Sequence, residues 1–264
     1  MTRVSHSHGA LVQSRLAMME ELQRAQALLG KRMFEACGGA FWHLDLLAAA
    51  ALNRSVAHCA GIKSLVEARN IMCSGVILRL QIDTVLRFYA SSLVSNPQEF
   101  AMAVLEGTPV RKMKAKDGKP LQDAYLVQKL GEEYSWVPRV YKETSGYVHF
   151  SDKHMLTSLL PDAQRGFRIK VSPVDEDTPE ELYLEILEAF FAATDILARY
   201  VESWIAFKSK PEMVEGARKA RSKLPRLDPS LVSSPSRGRQ GSTATARHGI
   251  IAQLRRFSGR LRRR

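Results

Sequence analysis

From Ala10 to Lys208 the apolar side chains return almost everywhere at the helical period, and this constrains the chain to an all-α fold. Leu11, Leu16, Met19, Leu22, Ala25, Leu29 and Met33 recur mostly at three- to four-residue steps, with charge between them. Gly38-Gly39 closes that run. The stretch 40–69 is rich in Ala and Leu and free of proline, with Gly61 a candidate bend. Asn70 interrupts it, and a further helix runs over 72–94 through Ile77, Leu80, Val85, Leu86 and Tyr89. Asn96-Pro97 restarts the chain as a helix with Pro in its first turn. Helices over 121–133 and 137–148 follow. Thr178-Pro179-Glu180-Glu181 is a helix start, with Thr as N-cap, Pro at N1 and Glu at N3. That helix runs to Lys208 and buries Leu182, Ile186, Phe190, Ala193, Leu197, Val201 and Ile205.

Two short apolar runs, 155–160 and 167–171, flank Pro161-Asp162 and Gly166, and Arg168-Ile169-Lys170-Val171 alternates. This predicts a small β-hairpin, followed by an acidic loop over 172–177. The segment 108–120 reads as a solvated basic loop turning at Asp117-Gly118. No repeat of fixed period is present. The expected architecture is one helical bundle of about six to eight helices over residues 10–209, with a hairpin insert. Residues 1–9, small and polar, read as disordered, with His6 and His8 incidental.

Charge is unevenly spread. Residues 208–264 hold 16 Lys and Arg against 3 Asp and Glu, while residues 1–207 hold 23 against 24. The formal net charge of +12 therefore describes an appendage and gives no sign of a nucleic-acid groove in the folded part. Residues 210–249 are rich in Pro, Ser, Gly, Arg and Lys. They carry too little apolar area to offset an ordering cost of roughly 1–2 kcal/mol per residue, so they read as a disordered basic linker. Over 250–264, Ile250, Ile251, Leu254, Phe257 and Leu261 fall on one helical face among Arg255, Arg256, Arg260, Arg262, Arg263 and Arg264. That stretch is a basic amphipathic helix or a disordered tail. Its arginines suit the phosphates of RNA or DNA, or the head groups of an anionic membrane.

Several function classes are disfavoured. The three cysteines, Cys37, Cys59 and Cys73, form no CxxC pair, which fits small buried hydrophobes in a reducing compartment. The N-terminal stretch shows no continuous apolar run of signal type, and Phe41–Leu52, interrupted by His43 and Asp45, is too short to span a bilayer. The reading is a soluble, cytoplasmic protein. Without a Walker A loop, GxGxxG, GxSxG or HExxH, neither a cofactor nor a metal is expected.

Polar residues stand where the pattern wants apolar ones. Arg79, Asp83 and Arg87 are spaced i, i+4, i+8 and share one helical face. Tyr141, Ser145 and His149 have the same spacing on a later helix, continuing into Ser151, Asp152 and His154. Both helices are otherwise apolar, which favours a half-buried network in which the two stripes face each other. Such a network is structural, or it is a site in which His149 acts as general acid and base while Arg79 or Arg87 holds a phosphate.

Arg79-x3-Asp83-x3-Arg87, followed about sixty residues later by YKETSGYVHFSDKH, resembles a group of bacterial helical proteins and, more distantly, the HEPN superfamily of helical bundles. The resemblance covers about 40–200. It implies a homodimeric bundle with a role in stress or phage defence, and it implies a ribonuclease site in which His149 is the histidine. Ribonuclease members of that superfamily carry Arg and His separated by four to six residues. Here nine residues separate Arg139 from His149, and only Arg3 and His8 have the required spacing. Two readings follow. One is a helical binding or scaffold protein whose body dimerises and whose tail tethers it to nucleic acid or membrane. The other is an RNase or nucleotide-processing enzyme using Arg79, Asp83, Arg87, Tyr141 and His149.

Overall fold

A computed structural model describes residues 8–222, Glu176 excepted. Among the described residues the chain is all-α with one small hairpin. The run expected as a single helix over 10–37 is delivered as α1 (Ala10–Ala17) and α2 (Met19–Gly39), broken at Met18. Cys37 and Gly38 have left-handed backbone at the end of α2, φ 57° and 64°, where Gly38 meets no steric cost. Next come α3 (His43–Glu67), α4 (Ile71–Leu93) and α5 (Pro97–Leu105). Gly61 produces no break within α3. The Asn70 side chain accepts from the Cys73 N–H at 2.9 Å, and Asn96 accepts from Gln98 and Glu99. Both are Asn N-caps, and Pro97 follows the second at N1.

After a single 3-10 turn at Val110–Lys112 come α6 (Asp123–Glu133), α7 (Val137–Val148) and α8 (Asp152–Thr157). The hairpin strands β1 (Leu159–Asp162) and β2 (Gly166–Ile169) pair antiparallel. Then α9 (Glu180–Lys208) starts one residue later than the Pro179 N1 reading. Residues Pro211–Ser222 form α10 and pack on α2 and α9, so the linker expected from 210 onward is corrected over its first dozen positions. Pro at the first position, Glu212 in the first turn and a Glu215–Lys219 ion pair one turn apart favour that helix locally. The remainder of the linker and the 250–264 segment lie outside the described residues. No helix among the described residues is long and apolar enough to cross a membrane.

The centre of the bundle is α4, which packs on α3, α9, α7 and α6. Its buried Leu78, Ile82, Val85, Leu86 and Phe88 meet Ile62 and Val66 of α3 and Leu187, Phe190 and Leu197 of α9 within one apolar cluster. Gly75 lets α7 approach closely, since a Cβ there would stand 2.5 Å from the Tyr147 ring. A second buried set is polar. The His58 Nδ1 lies 2.9 Å from Gln81 Oε1, and Gln81 Nε2 donates to Ser55 Oγ at 2.7 Å and to Thr194 Oγ1 at 3.1 Å. The Gln81 amide orientation leaves its oxygen as acceptor, so His58 donates from Nδ1. Burial pushes the His58 imidazole below its ordinary range, against the opposing pull of the Gln81 hydrogen bond. The sign follows from linkage. The unfolded chain takes up the proton first as pH falls through about 6.5, so stability should decline from pH 7 to pH 5. His58→Gln should flatten that slope in urea midpoints measured across the range. An unchanged slope contradicts a neutral buried His58.

The reading of residues 1–9 as disordered, with His8 incidental, is corrected at its C-terminal end. His8 is buried, with Nε2 2.6 Å from the Val66 carbonyl and Nδ1 3.0 Å from Glu180. Arg69, left-handed at φ 52°, donates to the same Glu180 at 2.8 Å, and its carbonyl accepts from Tyr183 and from the Asp175 N–H. Burial pushes the Glu180 carboxyl up, but His8, the Gly9 N–H and Arg69 outweigh it and hold it below the usual range. His6 lies outside the described residues.

Candidate functional site

The expected facing of α4 and α7 is what the structure shows. Its hub is a residue that periodicity did not single out, Asp123, in the first turn of α6. Arg87 Nη2 donates to Asp123 Oδ1 at 2.6 Å and lies 2.9 Å from Asp83 Oδ1. The Tyr141 hydroxyl donates to Asp123 Oδ2 at 2.9 Å. The Arg79 guanidinium lies over the Tyr141 ring, 3.7 Å from its centroid, and 3.9 Å from Asp123 Oδ2. From α3, Arg54 reaches Asp83 at 3.4 Å. Four helices thus contribute to one ion-pair network, with three guanidinium groups against two carboxylates.

Burial raises the Asp123 carboxyl, but hydrogen bonds from Arg87 and Tyr141 and the charges of Arg87 and Arg79 outweigh it and hold Asp123 low. Burial pushes the Tyr141 hydroxyl up to about 12, which keeps it a hydrogen-bond donor. Arg87 is held above its ordinary value: burial works against its charge, and Asp83 and Asp123 more than restore it. These are the protonation states of an ion-pair network, in which the buried Arg87 Nη1 keeps no hydrogen-bond partner. A general base poised near neutral pH requires the opposite, a group whose pKa is moved toward 7.

Of the five expected site residues, Arg79, Asp83, Arg87 and Tyr141 come together and His149 does not. The His149 backbone caps the end of α7, its N–H bonding to the Ser145 carbonyl at 3.2 Å. Its side chain is exposed, and its ring makes no hydrogen bond or ion pair among the described residues. Ser145 turns inward along its own helix, donating to the Tyr141 carbonyl at 2.7 Å. The rest of that stripe starts α8: Ser151 donates to the Gly146 carbonyl, and His154 accepts from the Ser151 N–H at 3.2 Å. The reason lies in the chain path. Helix α7 ends at Val148, so the i+8 position that would continue the Tyr141 face falls past its last turn.

The network carries a structural prediction. Asp123 is 38% exposed, so solvent screens its pairs, and Asp123→Ala should cost about 1–2 kcal/mol in urea denaturation. Because its carboxyl is held low when folded, that contribution is present above about pH 4 and lost as pH falls through the folded value. Equal stability of variant and parent at pH 7 contradicts the hub role.

A second buried polar set escaped sequence reasoning. Asp45, in the first turn of α3, faces Lys208, in the last turn of α9. Lys208 Nζ lies 3.0 and 3.1 Å from the two Asp45 oxygens and 2.9 Å from the Met33 carbonyl. Trp204 Nε1 donates to Asp45 at 2.7 Å, and the Trp42 N–H at 2.8 Å. Both charged side chains are fully buried. Lys208, which the sequence places at the start of the cationic extension, therefore belongs to the core. The signal for it was Asp45 itself, an acid inside an otherwise apolar run.

No grouping of His, Cys, Asp and Glu able to hold a metal ion occurs among the described residues. Compared with protein-family models, curated proteins and solved structures, the chain finds no match.

Proposed function

We propose that the protein is a helical binding module whose folded body presents and positions a cationic C-terminal extension, and that the extension associates with the phosphate backbone of nucleic acid. The observation that carries the reading is the separation of charge. Residues 223–264 hold 11 Lys and Arg and one acid, whereas residues 1–222 hold 28 Lys and Arg against 26 acids. Within the body, Arg54, Arg79 and Arg87 are engaged by Asp83 and Asp123, and Lys208 by Asp45. A flexible or helical polycation binds phosphate through counterion release, without a preformed groove. The single aromatic of the last fifteen residues, Phe257, is sparse for base stacking, so the association should be indifferent to sequence.

The enzyme reading, in which the same helices form an HEPN-like RNase site, needs His149 beside Arg79 or Arg87. It finds no support in the exposed His149 ring or in the pairing of Arg79 and Arg87 with Asp123.

The test is a full-length variant with Arg255, Arg256, Arg260, Arg262, Arg263 and Arg264 replaced by Ser. Affinity for a DNA duplex, followed across salt, should lose up to about five units of log–log slope, since each neutralised phosphate contributes roughly −0.9. An unchanged slope removes the tail from the function. Binding confined to anionic vesicles, with none to the duplex, replaces nucleic acid by a membrane surface as the target.

A further inference from the structure

The hairpin is amphipathic in the wrong sense for a monomer. In its register, Leu159 pairs with Ile169 and Pro161 with Phe167. Side chains of a directly opposed pair share a face, so these four project together, and Val171, two residues past Ile169, continues their row. That row is apolar and open to solvent: Leu159 is 42% exposed, Phe167 59%, Ile169 69% and Val171 97%. The opposite face carries the charge. Lys170 is held by Asp175 at 3.2 Å and by Asp177 at 3.9 Å, and Arg168 by Asp177 at 3.5 Å. Phe150, 86% exposed, and Val171 line the same shallow groove at the base of the hairpin.

The two edges of the hairpin differ. The Lys170 N–H donates to the Ser158 carbonyl at 2.8 Å, which makes 158–170 a hydrogen-bonded pair. By the alternation of an antiparallel ladder, 160–168 is the next such pair, and the backbone groups of Leu159, Pro161, Phe167 and Ile169 point outward. On β1 the outward row includes Pro161, which has no N–H and blunts that edge. On β2 it offers the N–H and C=O of both Phe167 and Ile169, an open edge able to receive another strand. A lone two-stranded hairpin is marginal in water, and a third or fourth strand stabilises it.

We propose that β2 of one copy pairs antiparallel with β2 of a second copy across a two-fold axis through Ile169. The product is a four-stranded sheet with a single pooled apolar face. In this register Ile169 opposes its own counterpart and Phe167 opposes Val171 of the second copy. On the polar face Arg168 opposes Lys170 of the second copy, a like-charge contact neutralised by Asp177 and Asp175 within each chain. The occupant is a second copy because a strand edge that is identical on both partners closes with two-fold symmetry and leaves only the blunted β1 edges outside. Pairing at this edge sets Ile169 against its counterpart and Phe167 against Val171 of the second copy, and leaves the outer side of the pooled apolar face open. The seam is a short ladder with a few apolar cross-strand pairs, smaller than a permanent interface, so the dimer should be weak and concentration-dependent.

Sedimentation velocity of the nuclease-treated full chain at high salt, over a concentration series, tests this. The expected result is a reversible shift from 29.6 kDa to twice that mass. Ile169→Asp, at an exposed position, should leave helix content unchanged and weaken association by ~100-fold, since it places like charges at the axis. Ile169→Pro, which removes the edge N–H, should weaken it as well. A chain that stays monomeric across the range, its apolar row covered by its own C-terminal residues or by another partner, overturns the proposal. So does a dimer indifferent to both variants.

Discussion

Asp45→Ala should lower the stability of the protein by about 3–5 kcal/mol, the cost of breaking a buried ion pair from one side. The substitution strands three donors at once. Lys208 Nζ keeps only the Met33 carbonyl, and Trp204 Nε1 and the Trp42 N–H lose their acceptor. Lys208, fully buried, then carries an uncompensated charge. Asp45 and Lys208 also sit at the favourable ends of their helices, the acid at an N-terminus and the cation at a C-terminus, so each helix dipole reinforces the pair. The double variant Asp45→Leu, Lys208→Met removes both charges. It should recover much of the loss, because apolar replacement of a whole buried pair is often neutral or stabilising. Urea midpoints of the two single variants and the double variant measure this directly. A cost below about 1 kcal/mol for Asp45→Ala would show that the pair is solvated in solution.

The second large effect concerns binding. Neutralising six to ten phosphates loses roughly 10³–10⁵ in affinity between 50 and 200 mM salt. The 11 cations past Ser222 are numerous enough to reach that range. Removing residues 223–264 should therefore abolish duplex binding at physiological salt. The stability of the body should change little, since α10 and the buried Lys208 both precede the cut. Charge in the body cannot substitute, because its cations are matched by acids.

Much of the fold was legible in the chain because local signals and tertiary packing agree. Asn70, Asn96-Pro97 and Thr178-Pro179 mark helix starts to within about a residue, and Gly166 with Pro161-Asp162 locates the hairpin turn. The i, i+4, i+8 stripe correctly brought Arg79, Asp83 and Arg87 to one face and placed Tyr141 opposite. What periodicity could not supply was the third wall. Asp123 reads as an ordinary acid in a helix's first turn, and only the packing of α6 against α4 and α7 makes it the hub. His149 failed for a local reason, because a stripe is a prediction only while the helix lasts. Lys208 and Asp45 are 163 residues apart, so no window could join them. His8 is likewise tied to Glu180 across 172 residues. The helix over 211–222 was missed because a basic, polar segment was read by its average composition, which hid one favourable start and one ion pair.

The direct measurement is fluorescence anisotropy of a labelled duplex titrated with the full chain and with residues 1–222 at matched salt. The full chain should bind with a steep salt slope. The shortened chain, with its helix content intact, should bind at least about 10³-fold more weakly. Comparable binding by residues 1–222 would place the contact surface on the helical body and contradict the division between a charge-balanced fold and its cationic extension.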